Sequence, residues 1–197
     1  MNKDIFLQTV KNHKMTILND DGVNRHLRFK QQDTCDRWFD IVTWKGHLCI
    51  TGDVGCAVYA RLNDMFVFFD TGEDIGINVN YWTEKEVATS VYGQNYEFDP
   101  TVLPELLKEW KELWIEESDP TKEQLKDVEY ALEDTAFSSM CEVSEFLHNP
   151  PEELEPIIDQ DWWEYNFETA TVHHIWRLFA ITYAVREYKK YKGEPND

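Results

Sequence analysis

The sequence predicts an α+β fold in which an N-terminal antiparallel β-meander of about four strands precedes a helical half with a buried C-terminal helix. Two observations lead to this prediction. Apolar and polar residues alternate over residues 23–30, and the segments that follow up to residue 60 are rich in β-branched and aromatic residues and divided by turns. From residue 98 onward, apolar residues instead recur about every 3.6 positions, which indicates helices. Because the strands come first and do not alternate with helices, a parallel sheet is not expected.

The strand-rich half is expected to begin with a short amphipathic helix at residues 3–13. A turn follows at residues 19–22, where Asn, Asp and Gly favour a chain reversal. Residues 15–18 either extend the helix or open a strand, and a short helix at residues 62–69 is expected to close the meander. The four predicted strands cover residues 23–30, 38–44, 47–51 and 56–60.

The middle of the chain carries mixed signals. Residues 75–81 alternate as a strand does, whereas residues 82–89 suggest a helical turn. Further on, Asp99 and Asp119 are each followed by a proline. Because Asp caps helix N-termini and Pro suits the first helical position, each pair predicts the start of a helix.

The second of these helices is expected to run to Leu147, because the Asn-Pro-Pro sequence at residues 149–151 cannot continue it. An acidic connector with at most one helical turn is expected over residues 152–167. The last helix is predicted to begin at Thr169 or Thr171. Its apolar residues lie on two faces, which predicts burial on most sides.

We expect residues 1–197 to form a single compact domain, because no linker rich in Gly, Ser or Pro divides the chain. Within it, residues 1–96 make the sheet-rich half and residues 97–197 the helical half. A separate helical domain beginning near residue 98 is the alternative.

The net charge is distributed very unevenly. The chain holds 38 acidic and 19 basic residues, a net charge of −19, and an aromatic content of 14% that excludes disorder for most of it. Residues 1–70 are neutral, whereas residues 97–168 hold 22 acidic residues and four lysines, a net charge of −18. This charge argues against binding nucleic-acid phosphates or an anionic membrane, and its asymmetry indicates an interaction surface.

Four residues of the strand-rich half are candidates for an acid–base or metal site, namely His26, Asp40, His47 and Asp53. Neighbouring strands of one sheet are able to bring them together. The alternative is structural, with Asp53 organising a turn and Asp40 on the solvent face.

No motif identifies a catalytic residue, a metal or a cofactor, and we predict none of the three. Two-histidine phosphoesterases need a hydroxyl residue two positions after each histidine, but Arg28 and Cys49 stand there. The four cysteines lack zinc spacing and are expected to be reduced, small, buried side chains. The aromatic residues of the connector predict either a packing anchor or an exposed recognition patch. They are Trp162, Trp163, Tyr165 and Phe167.

Several segments resemble a family of uncharacterised proteins encoded by tailed phages and bacterial prophages. The similarity is carried by Arg-His-Leu-Arg-Phe at residues 25–29 and by Phe-Asp-Ile-Val-Thr-Trp-Lys-Gly-His-Leu-Cys-Ile-Thr-Gly-Asp-Val-Gly at residues 39–55. A looser similarity extends to the last helix, around Trp176 and Tyr188. The resemblance implies a small accessory protein of the bacterial cytoplasm and no activity of particular residues. Small acidic phage proteins are often inhibitors of host defence, including anti-CRISPR and anti-restriction proteins.

The leading hypothesis is a non-enzymatic phage inhibitor whose acidic helical half mimics DNA and binds a basic surface on a host defence protein. The alternatives are a small phage enzyme acting on a nucleotide or signalling molecule, and an acidic scaffold or homodimer. We expect no direct contact with nucleic acid or membrane, and a cytoplasmic location because the N-terminus lacks a signal peptide. The predicted contact residues are Glu116, Glu117, Asp119, Glu123, Glu152, Glu153, Glu155, Asp159 and Asp161.

Overall fold

A computed structural model describes residues 1–90, 93–133 and 135–193. The chain divides into two compact units: unit 1 comprises Met1–Tyr96 and Ala170–Asp197, and unit 2 comprises Glu97–Thr169. The last helix, expected in the helical half, therefore belongs to the unit that contains the large sheet. The single-domain organisation of residues 1–197 stays a prediction.

Unit 1 is built on a six-stranded antiparallel sheet whose strands follow one another in chain order. The predicted α+β class and meander are confirmed, but the sheet has six strands and not about four. The two additional strands lie at the two edges of the sheet. The first of them includes residues 15–18, so this segment forms a strand and does not extend the helix. The strands are β1 (His13–Asp21), β2 (Asn24–Gln31), β3 (Phe39–Trp44), β4 (His47–Gly52), β5 (Gly55–Ala60) and β6 (Glu86–Thr89).

Helix α1 (Lys3–Val10) and the short helices α2 (Met65–Phe68) and α3 (Val79–Thr83) also belong to unit 1. The strand-like alternation near residue 79 was misleading, and α3 forms there instead. Its first turn is capped by the Asn78 side chain, which accepts a hydrogen bond from the backbone N–H of Tyr81.

Helix α7 (Val172–Lys192) packs against one face of the sheet. Thr171 caps its N-terminus, as one of the two predicted starts required. Trp176 lies edge-on to Phe6 and to Phe39, with ring centroids 5.5 Å apart in both pairs. Most residues of α7 are buried, as the apolar residues on two of its faces predicted. Strand alternation places the side chains of His26, Arg28 and Asp40 on the opposite face of the sheet.

Unit 2 contains α4 (Val102–Ser118), α5 (Lys122–Leu132), α6 (Met140–His148) and a 3-10 turn at Trp162–Glu164. The single long helix expected to reach Leu147 is wrong, because α5 ends and α6 begins anew within that segment. The break follows from local hydrogen bonding: Ser139 accepts from the N–H of Glu142, whose carboxylate accepts from the N–H of Ser138. Such side-chain bonds compete with a continuous helix. Residue 134 lies outside the described part of the chain.

Both helices begin two residues later than the Asp-Pro pairs predicted. Asp99 accepts hydrogen bonds from the N–H and hydroxyl of Thr101, and α4 then begins at Val102. Thr121 caps α5 through a reciprocal capping box with Gln124. Asp119 instead ends α4, in a left-handed conformation with φ of 46°.

Unit 2 has its own apolar core, which α4, α5, α6 and the connector share. A two-stranded sheet pairs β7 (Tyr96–Phe98) with β8 (Glu168–Ala170). No helix among the described residues is both long enough and apolar enough to cross a membrane. The core of unit 2 is formed by Leu103, Leu106, Leu107, Trp110, Val128, Val143, Leu147, Leu154, Ile157, Trp162 and Phe167.

Candidate functional site

The predicted contact residues form what we call the acidic surface of unit 2. Eight of the nine side chains are exposed and Asp159 is half-buried. They fall into two groups, one at the corner between α4 and α5 and one on the connector after α6. The members are Glu116, Glu117, Asp119, Glu123, Glu152, Glu153, Glu155, Asp159 and Asp161.

The corner group lies where a helix tolerates negative charge least. Glu116 and Glu117 occupy the last turn of α4, and Asp119 follows immediately. The C-terminus of a helix carries a partial negative charge, and the last turn of α4 holds no basic residue to offset it. Only Glu123, in the first turn of α5, lies at a favourable helix end.

The connector group is exposed because apolar neighbours hold its backbone in place. Leu154 and Ile157 are buried in the core of unit 2, while the acidic residues between and around them face outward. Asp159 accepts hydrogen bonds from the Tyr165 hydroxyl at 3.0 Å and from the N–H of Asp161 at 2.9 Å. Side-chain hydrogen bonds therefore hold the turn that carries Asp159 and Asp161.

The connector is anchored on the same helix that ends in the corner group. The ring of Tyr165 lies edge-on to Trp110 of α4, with centroids 5.6 Å apart. Trp110 precedes Glu117 by seven residues, which is about 10 Å along a helix. The connector is thus anchored on the helix whose C-terminal end carries the corner group.

The connector aromatics divide between the two predicted roles. Trp162 and Phe167 are buried in the core of unit 2 and act as the packing anchor. Trp163 is 62% exposed and Tyr165 38% exposed, so these two rings border the acidic residues. An exposed Trp beside unpaired charges is a typical element of a binding surface.

None of the nine residues of the acidic surface forms a salt bridge to a described residue. Among the described residues there are ten salt bridges, nine of them in unit 1. Unit 2 contributes the bond between Lys111 Nζ and Glu129 Oε1, at 3.1 Å. Neither residue belongs to the acidic surface.

The structure brings two of the four acid–base candidates together. His26 Nε2 lies 2.8 Å from Asp40 Oδ2, and Arg28 donates two hydrogen bonds of 2.8 Å to the same carboxylate. Burial on its own raises the pKa of Asp40, but the hydrogen bonds from Arg28 and His26 outweigh it and lower the pKa overall. Asp40 is therefore an ion-paired carboxylate.

The other two candidates lie apart from this pair. His47 and Asp53 flank opposite ends of β4, about 20 Å apart along a strand. The ring of His47 stacks on Trp44, with centroids 5.0 Å apart, and Asp53 accepts a hydrogen bond from the N–H of Arg37. Asp53 thus organises its turn, which is the structural alternative.

The expectation that Asp40 faces solvent is corrected by its environment. Its side chain lies on the sheet face opposite α7 but is only 6% exposed. The long side chains of Arg28 and His26 cover it, so a carboxylate on the outer face of a sheet becomes buried. The alternation of residues along the strands does not predict that Arg28 and His26 cover this carboxylate.

The cysteines differ from the expected small buried side chains. Cys35 and Cys141 are exposed, and Cys49 and Cys56 are half-buried. The Sγ atoms of Cys49 and Cys56 are 3.9 Å apart, and burial together with the neighbouring Cys56 raises the pKa of Cys49 to about 12. No group of three or more His, Cys, Asp or Glu within residues 1–90, 93–133 and 135–193 is placed to hold a metal ion.

A buried polar residue that the sequence did not single out lies in α7. Arg177 is 1% exposed and donates hydrogen bonds to the carbonyl oxygens of Val54 and Gly93 and to the side chain of Asn95. In the sequence it was only an interruption in an apolar run. The hydrogen bonds engage both terminal nitrogens of the buried guanidinium, and Arg177 therefore has a structural role in unit 1.

Comparison with models of known protein families, with curated proteins and with solved structures gives no match for this chain. The resemblance to a phage-encoded family stays a prediction.

Proposed function

We propose that this protein is a non-enzymatic binding protein whose acidic surface engages a basic, nucleic-acid-binding surface of another protein. One observation carries the proposal: exposed carboxylates that make no salt bridge to a described residue are concentrated on unit 2, some of them at a helix end that they destabilise. Charges that conflict with local stability are expected at functional sites.

The physical basis of recognition is charge complementarity. Duplex DNA presents about one negative charge per 1.7 Å of its axis, and proteins that bind it present clustered Lys and Arg. A rigid surface of carboxylates is attracted to the same groove and excludes DNA from it. Because exposed charges are screened by ions, this binding should weaken as salt increases.

The proposed setting is bacterial infection or lysogeny, with the protein acting in the host cytoplasm as an inhibitor of a defence complex of anti-CRISPR or anti-restriction type. This part of the proposal rests on the resemblance to phage-encoded proteins. The acidic surface supplies a mechanism for it, because such complexes must bind nucleic acid.

The test is affinity capture from a bacterial host lysate at about 0.05 M and about 0.5 M salt. Captured proteins are then challenged with a labelled DNA duplex. We expect retention of a nucleic-acid-binding protein at low salt only, and competition by the duplex. Reversal of the corner charges, Glu116→Lys with Glu117→Lys and Glu123→Lys, should abolish capture.

A matched control reverses three exposed acidic residues of unit 1, with Asp4→Lys, Asp21→Lys and Glu73→Lys. None of the three makes a salt bridge to a described residue, so the change in net charge is the same while unit 2 is intact. Capture by the control should persist. Retention that survives high salt and the corner reversals would show that electrostatic mimicry is wrong.

A second candidate function is an enzyme that uses His26, because its ring nitrogen contacts the carboxylate of Asp40 on the sheet face opposite α7. This pair has the contact of an acid–base dyad. The discriminating variant is His26→Ala, which leaves the Arg28–Asp40 pair intact. If the His26→Ala variant no longer inhibits the host defence complex but still captures the same host protein, the enzyme is favoured.

A further inference from the structure

A small cavity lies on the sheet face opposite α7, next to the buried Asp40. It has a volume of about 280 Å³ and is lined by Arg28, Lys30, Cys35 and Trp38. Two of the four lining side chains are cationic and one is a large aromatic ring. That combination of a cation and a flat apolar surface is typical of sites for anionic ring compounds.

Arg28 is held in a fixed orientation beside this cavity. Its Nε and Nη2 atoms donate to the two oxygens of Asp40, and the guanidinium carbon lies 5.5 Å from the centre of the Trp38 ring. The Nη1 atom makes no hydrogen bond to any described residue, and the side chain is 43% exposed. Asp40 thus orients the guanidinium and leaves one edge of it to bind a ligand.

A pair of lysines adds positive charge beside Arg28. Lys14 of β1 and Lys30 of β2 are directly opposite each other, and Thr16 is opposite Arg28. Like charges directly opposite on antiparallel strands are destabilising. Both lysines are exposed, and neither forms a salt bridge within the described part of the chain.

The carboxylates of this region leave the two lysines of the cluster without a salt bridge among the described residues. Asp40 is occupied by Arg28 and His26. Asp33 and Asp36 lie on the exposed loop between β2 and β3 and make no salt bridge to a described residue. The outer face of β1 and β2 therefore holds three neighbouring cations on a chain that is otherwise strongly acidic.

We propose that this cavity binds a nucleoside monophosphate. Lys14, Lys30 and the free edge of Arg28 hold the phosphate, and the base packs against Trp38. A phosphate takes up several donors at once, which relieves the repulsion between the two lysines. The volume is at the lower end of the range for small-ligand sites, which fits one nucleotide and not a longer chain.

The site is independent of the acidic surface, since every residue in it belongs to unit 1. The corner variant of unit 2 should bind the nucleotide as the wild type does. If no nucleotide binds to unit 1, the proposed function of unit 2 is unaffected. If the acidic surface binds no partner, the proposed nucleotide site is likewise unaffected.

The test is calorimetric titration of the full chain at about 0.05 M salt with adenosine monophosphate, inorganic phosphate and adenosine. We expect saturable binding in the order monophosphate, then phosphate, then adenosine. The double variant Lys14→Gln with Lys30→Gln should bind the monophosphate at least about tenfold more weakly. Its fold should be intact, because the change removes a repulsion.

Lys45→Gln is the matched control, because Lys45 is an exposed lysine of unit 1 in the turn between β3 and β4. Its affinity should equal that of the wild type. Three results would overturn the proposal: no saturable binding of the monophosphate, equal affinity in the double variant, or adenosine binding as tightly as the monophosphate. Affinity for single-stranded DNA that rises steadily with its length would assign the face to nucleic acid instead.

Discussion

The two units differ in their balance of acidic and basic residues and in how far these residues are paired. Unit 1 holds 16 acidic and 15 basic residues, whereas unit 2 holds 22 acidic and 4 basic ones. In unit 1 many of the charges are paired: Arg25 binds Asp64 through two hydrogen bonds of 2.8 Å while it packs on the ring of Phe66. In unit 2 nearly all are left to solvent. Ionic pairing is therefore part of the fold of unit 1, and the fold of unit 2 depends on apolar packing.

The ends of two helices show the contrast most directly. Helix α7 ends with Lys189 and Lys192 in its last turn and with Gly193 in the left-handed conformation, as helix C-termini favour. Helix α4 ends with Glu117 in its last turn and with Asp119 in the left-handed conformation. One end follows the rules of helix stability and the other conflicts with them, which is why we place function at the second.

The largest expected effect is on the apolar packing of unit 1. Trp176→Ala should lower the free energy of unfolding by about 4 kcal/mol, because a fully packed ring is lost and a cavity remains. The matched control is Trp163→Ala in unit 2, where the ring is 62% exposed and the change should cost under about 0.5 kcal/mol. Chemical denaturation followed by circular dichroism measures both. Similar losses in the two variants would contradict the burial described for α7.

The elements that the sequence predicted well are those in which a local pattern and the tertiary packing agree. Strands β2 to β5 are rich in β-branched and aromatic residues and are separated by clear turns, and α7 has an N-cap threonine and two apolar faces. The edge strand β6 and the short helix α3 were missed because their patterns are too brief to outweigh their tertiary contacts. The break between α5 and α6 was missed because it depends on the Ser138 and Ser139 side chains, which compete with helical hydrogen bonds.

The candidate sites were predictable to a lesser degree. The exposure of Glu116 and its neighbours follows from helical periodicity and was predictable from the sequence, whereas their role as contact residues stays a prediction. The contact between His26 and Asp40 requires the register of β2 on β3, and the separation of His47 from Asp53 requires the length of β4. A strand pattern gives the face of a residue but not its partner across the sheet.

The second largest effect is a dependence on pH that arises from His174 of unit 1. Burial first, and then the charge of Arg177, lower the pKa of His174 to about 4. Its Nε2 atom lies 2.7 Å from the Thr83 hydroxyl, which itself donates to the carbonyl of Val79, so Nε2 is the donor and Nδ1 is the unprotonated nitrogen. Buried Nδ1 has no hydrogen-bond partner among the described residues, which agrees with a neutral ring.

Between pH 6.5 and about 4 the unfolded chain binds a proton at His174 that the folded chain does not. The free energy of unfolding should therefore fall as the pH is lowered through this window, by up to about 3 kcal/mol. Denaturation curves of the wild type and of His174→Gln across this range isolate the contribution. Their difference should shrink toward low pH. The control is His173→Gln, which makes the same substitution at the neighbouring exposed histidine of α7.

The smallest effect tests the helix end that distinguishes unit 2. Glu117→Gln should raise the stability of α4 by about 0.5 kcal/mol, because it removes a negative charge from the negative end of the helix dipole. Glu105→Gln in the first turn of the same helix should lower it by a similar amount, since a negative charge is favourable there. Hydrogen exchange of the α4 amides measures both changes, and increasing salt should reduce both. Opposite signs for two identical substitutions would show that the charge at the corner of α4 and α5 is retained against stability, as a binding surface requires. Equal signs would remove the electrostatic conflict on which that assignment depends.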